Sequence, residues 1–174
     1  MKIVLLGYMG SGKSVVGKIL AEKLQVPYID LDDYISDKEE MEIPELFKSK
    51  GEIYFRKKEN KYLNTVLKDK KEDFVLSLGG GTPCYANNMN ILLSDGSVNT
   101  IYLKASVAEL ANRLFDLRTD RPLLSNVKDK EDLVDFIGKH LFERTYYYNQ
   151  AKLTVDVNGK SPQETLEGII SLLA

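Results

Sequence analysis

The chain has one cysteine and one histidine, and both scarcities restrict its chemistry. A single thiol, Cys84, cannot form an internal disulfide, which is typical of a protein from a reducing compartment. The single imidazole, His140, lies in a helix-like stretch, and we interpret it as structural. This interpretation removes catalysis by a histidine base from the main hypotheses.

The sequence also lacks a surplus of basic residues and a long hydrophobic run. Its 174 residues have a net charge of −2, so nothing drives nonspecific binding to nucleic acid or to an acidic membrane. No apolar stretch approaches the roughly 18 residues of a membrane span. The run from Ile3 to Leu6 is too short for a signal peptide. We therefore expect a cytoplasmic protein without nucleic-acid or membrane partners and, because no apolar stripe is evident, a monomer.

The most informative segment is Gly7 to Ser14, which fits G-x-x-x-x-G-K-[ST] without a mismatch. It follows the apolar run Ile3 to Leu6 and precedes apolar residues at helical spacing, so strand, glycine loop and helix occur in the required order. Glycine tolerates the dihedral angles that direct backbone N–H groups inward. Lys13 can reach the β- and γ-phosphates, and the Ser14 hydroxyl can ligate Mg²⁺. The segment predicts a nucleotide-phosphate site at a helix N-terminus.

Strand-like runs alternate with helical patterns along the chain, at Ile3–Leu6, Tyr28–Ile29, Phe74–Leu78, Val98–Leu103 and Leu153–Val157. The alternation predicts an α/β fold with a five-stranded parallel sheet between two layers of helices. The length and the 43% hydrophobic content suit a single domain over residues 1–174. Two segments are interpreted as insertions: about 33–67, mostly charged helix, to hold a substrate, and about 115–130, polar, to act as a lid.

A phosphate-binding loop alone does not separate a kinase from a switch GTPase or a motor ATPase. A GTPase would need N-K-x-D after D-x-x-G. Here Asn126-Val127-Lys128-Asp129 lacks lysine at its second position, and Asp135-Phe136-Ile137-Gly138 follows it instead of preceding it. We interpret both as coincidence.

An acidic cluster, Asp30-Leu31-Asp32-Asp33, follows the second strand-like run. The carboxyl ends of parallel strands form the sheet edge where ligands bind. One carboxylate there could hold Mg²⁺, and another could accept a proton from an attacking hydroxyl. The alternative is that Asp32 or Asp33 simply caps the next helix.

Three more segments carry polar or glycine-rich signals. Arg56 lies in a helical pattern and offers a guanidinium fork suited to a carboxylate, although alone it would indicate only a solvated face. Gly79-Gly80-Gly81 ends the third run, where backbone N–H groups could approach a small ligand or form a tight turn. Arg144 supplies a second arginine near a helix end, followed by tyrosines that suit packing.

As a set, these residues resemble the shikimate kinase family, and the resemblance covers essentially the whole chain. Its motifs, in order, are the phosphate loop followed by Gly17 and Leu20-Ala21, then Asp30-x-Asp32, Gly51-Glu52-x-x-Phe55-Arg56-x-x-Glu59, Leu78-Gly79-Gly80-Gly81, Arg121-Pro122-Leu123-Leu124 and Arg144-x-x-x-Tyr148-x-x-Ala151. The resemblance implies the P-loop kinase fold and transfer of the ATP γ-phosphoryl group to the 3-hydroxyl of shikimate, on the route to chorismate and the aromatic amino acids. ATP and shikimate would be the substrates and Mg²⁺ the cofactor.

Matching positions imply a role for each residue. The implied catalytic residues are Asp32, Lys13 and Arg121. The implied shikimate-binding residues are Asp32, Arg56, Gly80 and Arg144. The implied nucleotide-binding residues are Gly10, Ser11, Gly12, Lys13, Ser14, Val15, Arg113, Arg121 and Lys160, and the implied metal ligands are Ser14 and Asp30. Arg113 would stack on the adenine base, with a plain surface cation as the alternative.

The chain departs from the family pattern at a few positions. Ser36 replaces a common Glu, and Glu40 replaces a Gly, which allows a different connection between the helices of the insertion. The stretch from Arg144 to Tyr148 lacks the proline of the usual Arg-x-Pro-Leu-Tyr form, which puts the local helix geometry in question.

Two other functional classes remain as alternatives. A gluconate-type or nucleoside monophosphate kinase would share the phosphate loop and a lid, and would differ in its acceptor pocket. A nucleotide-binding regulatory protein descended from a kinase would keep the loop and lose the base. The intact Asp32, Arg56 and Arg144 argue against the regulatory protein.

Overall fold

Five parallel strands form the centre of the protein. The computed structural model describes residues 1–69, 72–117 and 122–174. The strands are β1 (Lys2–Leu6), β2 (Tyr28–Asp30), β3 (Phe74–Ser77), β4 (Val98–Lys104) and β5 (Leu153–Asp156). They form one parallel sheet in the order β2-β3-β1-β4-β5, so the predicted five-stranded parallel sheet is confirmed.

Helices connect the strands and cover the sheet. They are α1 (Lys13–Leu24), α2 (Leu31–Glu39), α3 (Ile43–Lys50), α4 (Glu52–Asp69), α5 (Asn88–Ser94), α6 (Val107–Phe115), α7 (Lys130–Tyr148) and α8 (Pro162–Leu173). Each of Ile3 to Leu6 in β1 is at most 1% exposed, so both faces of the central strand are covered. This burial on both faces fits the predicted three-layer α/β/α arrangement.

The position of β1 determines where a ligand can bind. It pairs with β3 on one side and with β4 on the other, so the sheet extends away from β1 in both directions. Ligands of such sheets bind at the carboxyl ends of the strands, at this switch point. The phosphate loop begins at this point.

The two predicted insertions differ in how much of them can be described. Residues 33–67 form most of α2, α3 and α4, as the charged helical pattern predicts. In the predicted lid, residues 118–121 lie outside the described residues, and the 3₁₀ turn Pro122–Leu124 follows them. Arg121 therefore cannot be placed.

Glu40 ends α2 in the way that glycine would. Its φ of 53° and ψ of 36° are left-handed, and its backbone N–H donates to the carbonyl of Ser36. The replacement of glycine therefore leaves the left-handed helix end intact.

A half-buried carboxylate holds α2 against α4. Glu39 accepts hydrogen bonds from Lys58 (2.8 Å), Tyr54 (2.6 Å) and Tyr62 (2.5 Å). Burial opposes its ionisation, but these hydrogen bonds lower the pKa of Glu39 to about 2. Helix α2, which contains Asp32, is thereby fixed to α4, which carries Arg56.

The surface carries an apolar feature that the sequence analysis did not predict. Phe142 and Tyr146 lie one turn apart on α7 and are 85% and 72% exposed. In the part of the chain that the structure describes, no helix is both long enough and apolar enough to span a bilayer.

We expect Gly17→Ala to destabilise the fold, because α1 packs tightly on β2 and β3 at this position. An added Cβ would lie 2.5 Å from Cε2 of Tyr28 and 2.9 Å from Oγ of Ser77. The free energy of unfolding should fall by about 1–3 kcal/mol. The control is Gly138→Ala in α7, where an added Cβ meets no atom within 4 Å. Because alanine favours the helix more than glycine does, this change should raise the free energy of unfolding by about 0.5–1 kcal/mol. Urea unfolding measures both, and equal effects would contradict the packing argument.

Candidate active site

The phosphate loop joins the end of β1 to the start of α1. Gly7, Gly10 and Gly12 have φ angles of 147°, 80° and 95°, which L side chains rarely adopt. At Gly7 an added Cβ would also lie 2.7 Å from the carbonyl oxygen of Leu103. The glycines are therefore required for the loop to curl over the N-terminus of α1, as predicted.

Two polar groups lie inside this loop. The Lys13 ammonium donates to the carbonyl oxygens of Gly7 (2.8 Å) and Tyr8 (3.0 Å). Within the described residues, the Oγ of Ser11 is one of two buried side-chain polar atoms without a hydrogen-bond partner. A buried polar atom without a partner is costly, so the loop favours a ligand that brings hydrogen-bonding oxygens.

Ser14 and Asp30 meet at the carboxyl edge of the sheet. The Ser14 hydroxyl donates to Oδ2 of Asp30 (3.2 Å), and so does the hydroxyl of Tyr28 (3.3 Å). Hydroxyl and carboxylate oxygens are ligands that Mg²⁺ accepts. In residues 1–69, 72–117 and 122–174, no group of three or more His, Cys, Asp or Glu could hold a metal. The donor set therefore fits an ion that takes its other ligands from phosphates and water.

One residue of the acidic cluster does cap the next helix, but it is neither Asp32 nor Asp33. Helix α2 begins at Leu31, and its N-cap is Asp30, whose Oδ1 accepts from the backbone N–H of Asp32 (3.0 Å). The interpretation of Asp32 or Asp33 as the cap is wrong, because the helix starts earlier than the sequence suggested. Both lie in its first turn.

Asp32 is a carboxyl group with an elevated pKa. Burial, with the nearby charges of Asp30 and Glu59, raises the pKa of Asp32 to about 6, against the opposing effects of Lys13 and Arg56. An added Cβ at Gly79 would lie 3.1 Å from its Oδ1. A carboxyl poised near neutral pH beside a phosphate loop is a candidate general base.

Arg56 lies on the last of the three glycines. A Cβ at Gly81 would be 2.8 Å from its Nη2. Its Nη1 donates to Glu59 (2.8 Å), a carboxylate that is 1% exposed and also accepts from the Thr82 hydroxyl (2.7 Å). The Nε of Arg56 is buried and has no hydrogen-bond partner within residues 1–69, 72–117 and 122–174. Arg56 is thus a held cation with an unsatisfied donor, and not a solvated one.

Arg144 lies beside the middle glycine. A Cβ at Gly80 would be 3.3 Å from its Nη1, and its guanidinium carbon is 5.6 Å from the centre of the Tyr8 ring. One turn later Tyr148 donates to the carbonyl of Gly80 (2.5 Å). Helix α7 runs unbroken from Lys130 to Tyr148, so the missing proline does not disturb the helix at this point.

The three consecutive glycines form a tight turn, in which the backbone N–H of Thr82 donates to the carbonyl of Gly79 (3.1 Å), but turning the chain is not their only role. None of them has a positive φ, so dihedral freedom is not the reason for glycine here. Each one leaves room for a different charged side chain, and those side chains come from α2, α4 and α7.

One cavity unites most of the predicted nucleotide, metal and base positions. It measures about 330 Å³ and is lined by Met9, Gly10, Gly12, Lys13, Ser14, Val15, Asp30, Asp32, Leu78, Gly79, Gly80, Arg113, Leu114 and Leu117. Arg56 and Arg144 do not line it and instead lie on the glycines next to it. The structure therefore brings together most of the described residues of the predicted site, but not Ser11 and Lys160.

The predicted adenine-side residues share a second cavity. It measures about 300 Å³, and both Arg113 and Lys160 line it. Arg113 donates to Glu109 (2.7 Å) and to the carbonyl of Val157 (2.8 Å), so it is anchored and not a free surface cation.

Sequence reasoning missed how His140 contributes. Its Nδ1 is 3.0 Å from the hydroxyl of Tyr8 in the phosphate loop, and its ring packs on Phe136. Burial and the charge of Arg144 lower the pKa of His140. The residue links α7 to the loop, and no local signal indicates a pair separated by 132 positions.

Comparisons with known proteins agree on one family. The family model described as shikimate kinase matches residues 9–174. The shikimate kinase of Flavobacterium johnsoniae is 45% identical over 99% of both chains. The crystal structure of shikimate kinase from Bacteroides thetaiotaomicron superposes with a TM-score of 0.89 at 34% identity, over 99% of this chain and 98% of that one.

A further solved structure is shikimate kinase from Acinetobacter baumannii in complex with shikimate, with a TM-score of 0.81 at 32% identity, over 99% of this chain and 92% of that one. With its phosphate loop, its sheet order and its carboxyl and arginine groups around three glycines, this chain belongs to the shikimate kinase family.

Proposed function

We propose that this chain transfers the γ-phosphoryl group of ATP to the 3-hydroxyl of shikimate, giving shikimate 3-phosphate and ADP. The observation that carries the proposal is the placement of Asp32, Arg144 and Arg56 on three consecutive glycines beside the phosphate loop. Shikimate is a small ring with one carboxylate and three hydroxyls. It therefore needs cations at one end and an acceptor at the other.

The two arginines would hold the carboxylate of the acceptor. A guanidinium offers parallel N–H donors that match a carboxylate in a bidentate manner. Among the residues that the structure describes, the buried Nε of Arg56 has no hydrogen-bond partner, so a carboxylate there would satisfy it. Arg144 approaches from α7, on the neighbouring glycine, and would bind the same group.

Asp32 would orient the reacting hydroxyl and take its proton. With a pKa of about 6, its carboxylate is ionised at neutral pH and is a stronger base than an ordinary aspartate. It lines the same cavity as Lys13 and Ser14, so hydroxyl and phosphate would meet there. Phosphoryl transfer depends mainly on such positioning and on charge neutralisation.

The phosphate loop would hold the nucleotide. The backbone of Gly10, Ser11 and Gly12 and the first turn of α1, with Val15, would surround the phosphates, and Lys13 would neutralise the transferred group. Gly10, Gly12, Lys13 and Val15 line one cavity, which supports this assignment. Arg113 and Lys160 would contact the base end. Arg121, from the lid segment at about 115–130, would add a cation on the phosphates, and closure of the lid would exclude water.

Ser14 and Asp30 would hold Mg²⁺, Asp30 through a water molecule. When bound, Mg²⁺ would supply positive charge that offsets the negative charge of the phosphates. The 3.2 Å contact between the two side chains supports this assignment. We also propose that the chain acts as a single kinase domain and as a cytoplasmic monomer, which its one free cysteine suits.

The acceptor is identified by an ADP-release assay with MgATP. Shikimate is compared with gluconate, with a panel of nucleoside monophosphates and with no acceptor. We expect turnover that depends on shikimate and little background. Turnover only with another acceptor would mean that the chain is a kinase but that the assigned shikimate pocket is wrong. ATP binding without turnover on any acceptor would indicate a regulatory protein.

We expect Asp32→Asn to lower kcat by about 10²-fold or more, because the positioned base is lost, while ATP binding remains. In the wild type, kcat/KM should fall as pH drops below about 6, because Asp32 then binds a proton. The raised pKa also means that the folded chain gains stability as pH falls through this range, so Asp32→Asn should be more stable than the wild type at pH 8. Rates and unfolding curves across pH measure these effects.

The control for Asp32 is Asp33→Asn, which changes an exposed carboxylate in the same helical turn. It should keep normal turnover. Near-normal turnover of Asp32→Asn would refute the assignment of the base.

We expect Arg56→Lys to raise the KM for shikimate about tenfold or more with little change in the KM for MgATP. Lysine keeps the charge beside buried Glu59 but loses the planar fork. Arg56→Ala would leave that carboxylate unpaired and risks misfolding. Lys57→Ala removes the adjacent exposed charge as the control, and equal losses for both substrates in Arg56→Lys would contradict the assigned role.

A further inference from the structure

We propose that Tyr85 is a positioning residue for Arg56, whose guanidinium group it holds in the orientation that meets the carboxylate of the acceptor. The inference rests on the proposed function of Arg56. Tyr85 follows the 3₁₀ turn Thr82–Cys84, directly after the three glycines, and the sequence analysis did not identify it.

The contact between the two side chains is close. The guanidinium carbon of Arg56 lies 4.0 Å from the centre of the Tyr85 ring, well inside the roughly 6 Å within which a cation and an aromatic ring attract. The ring of Phe55 is farther away, at 5.2 Å. Tyr85 is therefore the nearer aromatic contact of this cation.

The other contacts of Arg56 leave its orientation incompletely fixed. Glu59 binds Nη1 (2.8 Å), and Glu52 is 3.7 Å from Nε, too far for a hydrogen bond. Within the described part of the chain, a single hydrogen bond therefore anchors one nitrogen of Arg56 and still permits the guanidinium plane to rotate about it. A ring against the guanidinium group opposes this rotation and keeps Nε directed at the same place.

The loop that carries Tyr85 is held in a strained conformation. The next residues, Ala86 and Asn87, both have positive φ angles, 50° and 60°, although neither is glycine. Such residues cost on the order of 1–3 kcal/mol each and persist when surrounding contacts impose them. Strained residues of this kind cluster at functional sites, and this pair directly follows Tyr85.

Helix α4 supplies the contacts that impose this conformation. One turn after Arg56, Asn60 donates to the carbonyl of Ala86 (3.0 Å) and to Oδ1 of Asn88 (2.8 Å). Asn88 in turn donates to the carbonyl of Thr82 (2.9 Å). The helix that carries the arginine thus also fixes the loop that stacks on it, and the two parts form one unit.

The test is Tyr85→Ala, measured by shikimate titration calorimetry and by steady-state kinetics. A contact of this type corresponds to about 3- to 30-fold in affinity. We expect the dissociation constant and the KM for shikimate to rise by that factor, with the KM for MgATP unchanged. Tyr85→Phe keeps the ring and should restore affinity to within about twofold. A Tyr85→Phe loss as large as that of Tyr85→Ala would overturn the stacking argument.

Ile53, Arg56 and Tyr85 line one surface cavity. A matched control is therefore Ile53→Ala, which removes a 76% exposed apolar side chain from that cavity. It should not change the affinity for shikimate. A loss equal to that of Tyr85→Ala would refute a specific contact with Arg56.

A probe without the negative charge tests whether Tyr85 acts through Arg56. The affinity of methyl shikimate should fall less than about twofold in Tyr85→Ala, because its ester does not need the oriented guanidinium. An equal loss for acid and ester would overturn the inference. Unchanged shikimate binding in Tyr85→Ala, combined with weaker binding in Arg56→Lys, would refute this inference alone. Unchanged binding in Arg56→Lys would refute the proposed function of Arg56 itself.

Discussion

The approach of three charged side chains to three consecutive glycines is the constraint on which the site depends. Asp32, Arg144 and Arg56 come from three different helices and lie against Gly79, Gly80 and Gly81 in that order. An added Cβ would meet each of them at 2.8–3.3 Å, where real side chains do not fit without a shift. The three glycines after β3 therefore form a stretch of backbone without side chains, and this stretch sets the spacing of the three charged groups.

Charge balance around this strip explains why one carboxyl has an elevated pKa. Glu59 is fully buried and is satisfied by Arg56 and Thr82. Asp32 is in a different electrostatic environment. Burial and the charges of Asp30 and Glu59 raise its pKa, and the positive charges of Lys13 and Arg56 offset this rise only in part. One acidic group thus stabilises an arginine, while another is kept reactive. The difference between them follows from their partners.

Features coded by local sequence were predicted well. The phosphate loop and all five strands lie where the pattern places them. Helix boundaries were less certain, because Asp30, Asp32 and Asp33 are equally good caps and only the observed start of α2 at Leu31 identifies Asp30. Within the site, residue types indicated chemistry, and the family resemblance indicated roles.

The sequence by itself determined the α/β fold, the nucleotide loop and the residue types of the acceptor site, because periodicity and fixed spacing act over a few residues. Only the tertiary structure decided how Arg56 is held and that His140 contacts Tyr8, because these contacts join α4 to the loop after β3, and α7 to the phosphate loop. Tyr85 follows Arg56 by 29 positions in the sequence (85 − 56), and His140 follows Tyr8 by 132. No local pattern specifies them, since they arise when packing brings separate elements to one edge of the sheet.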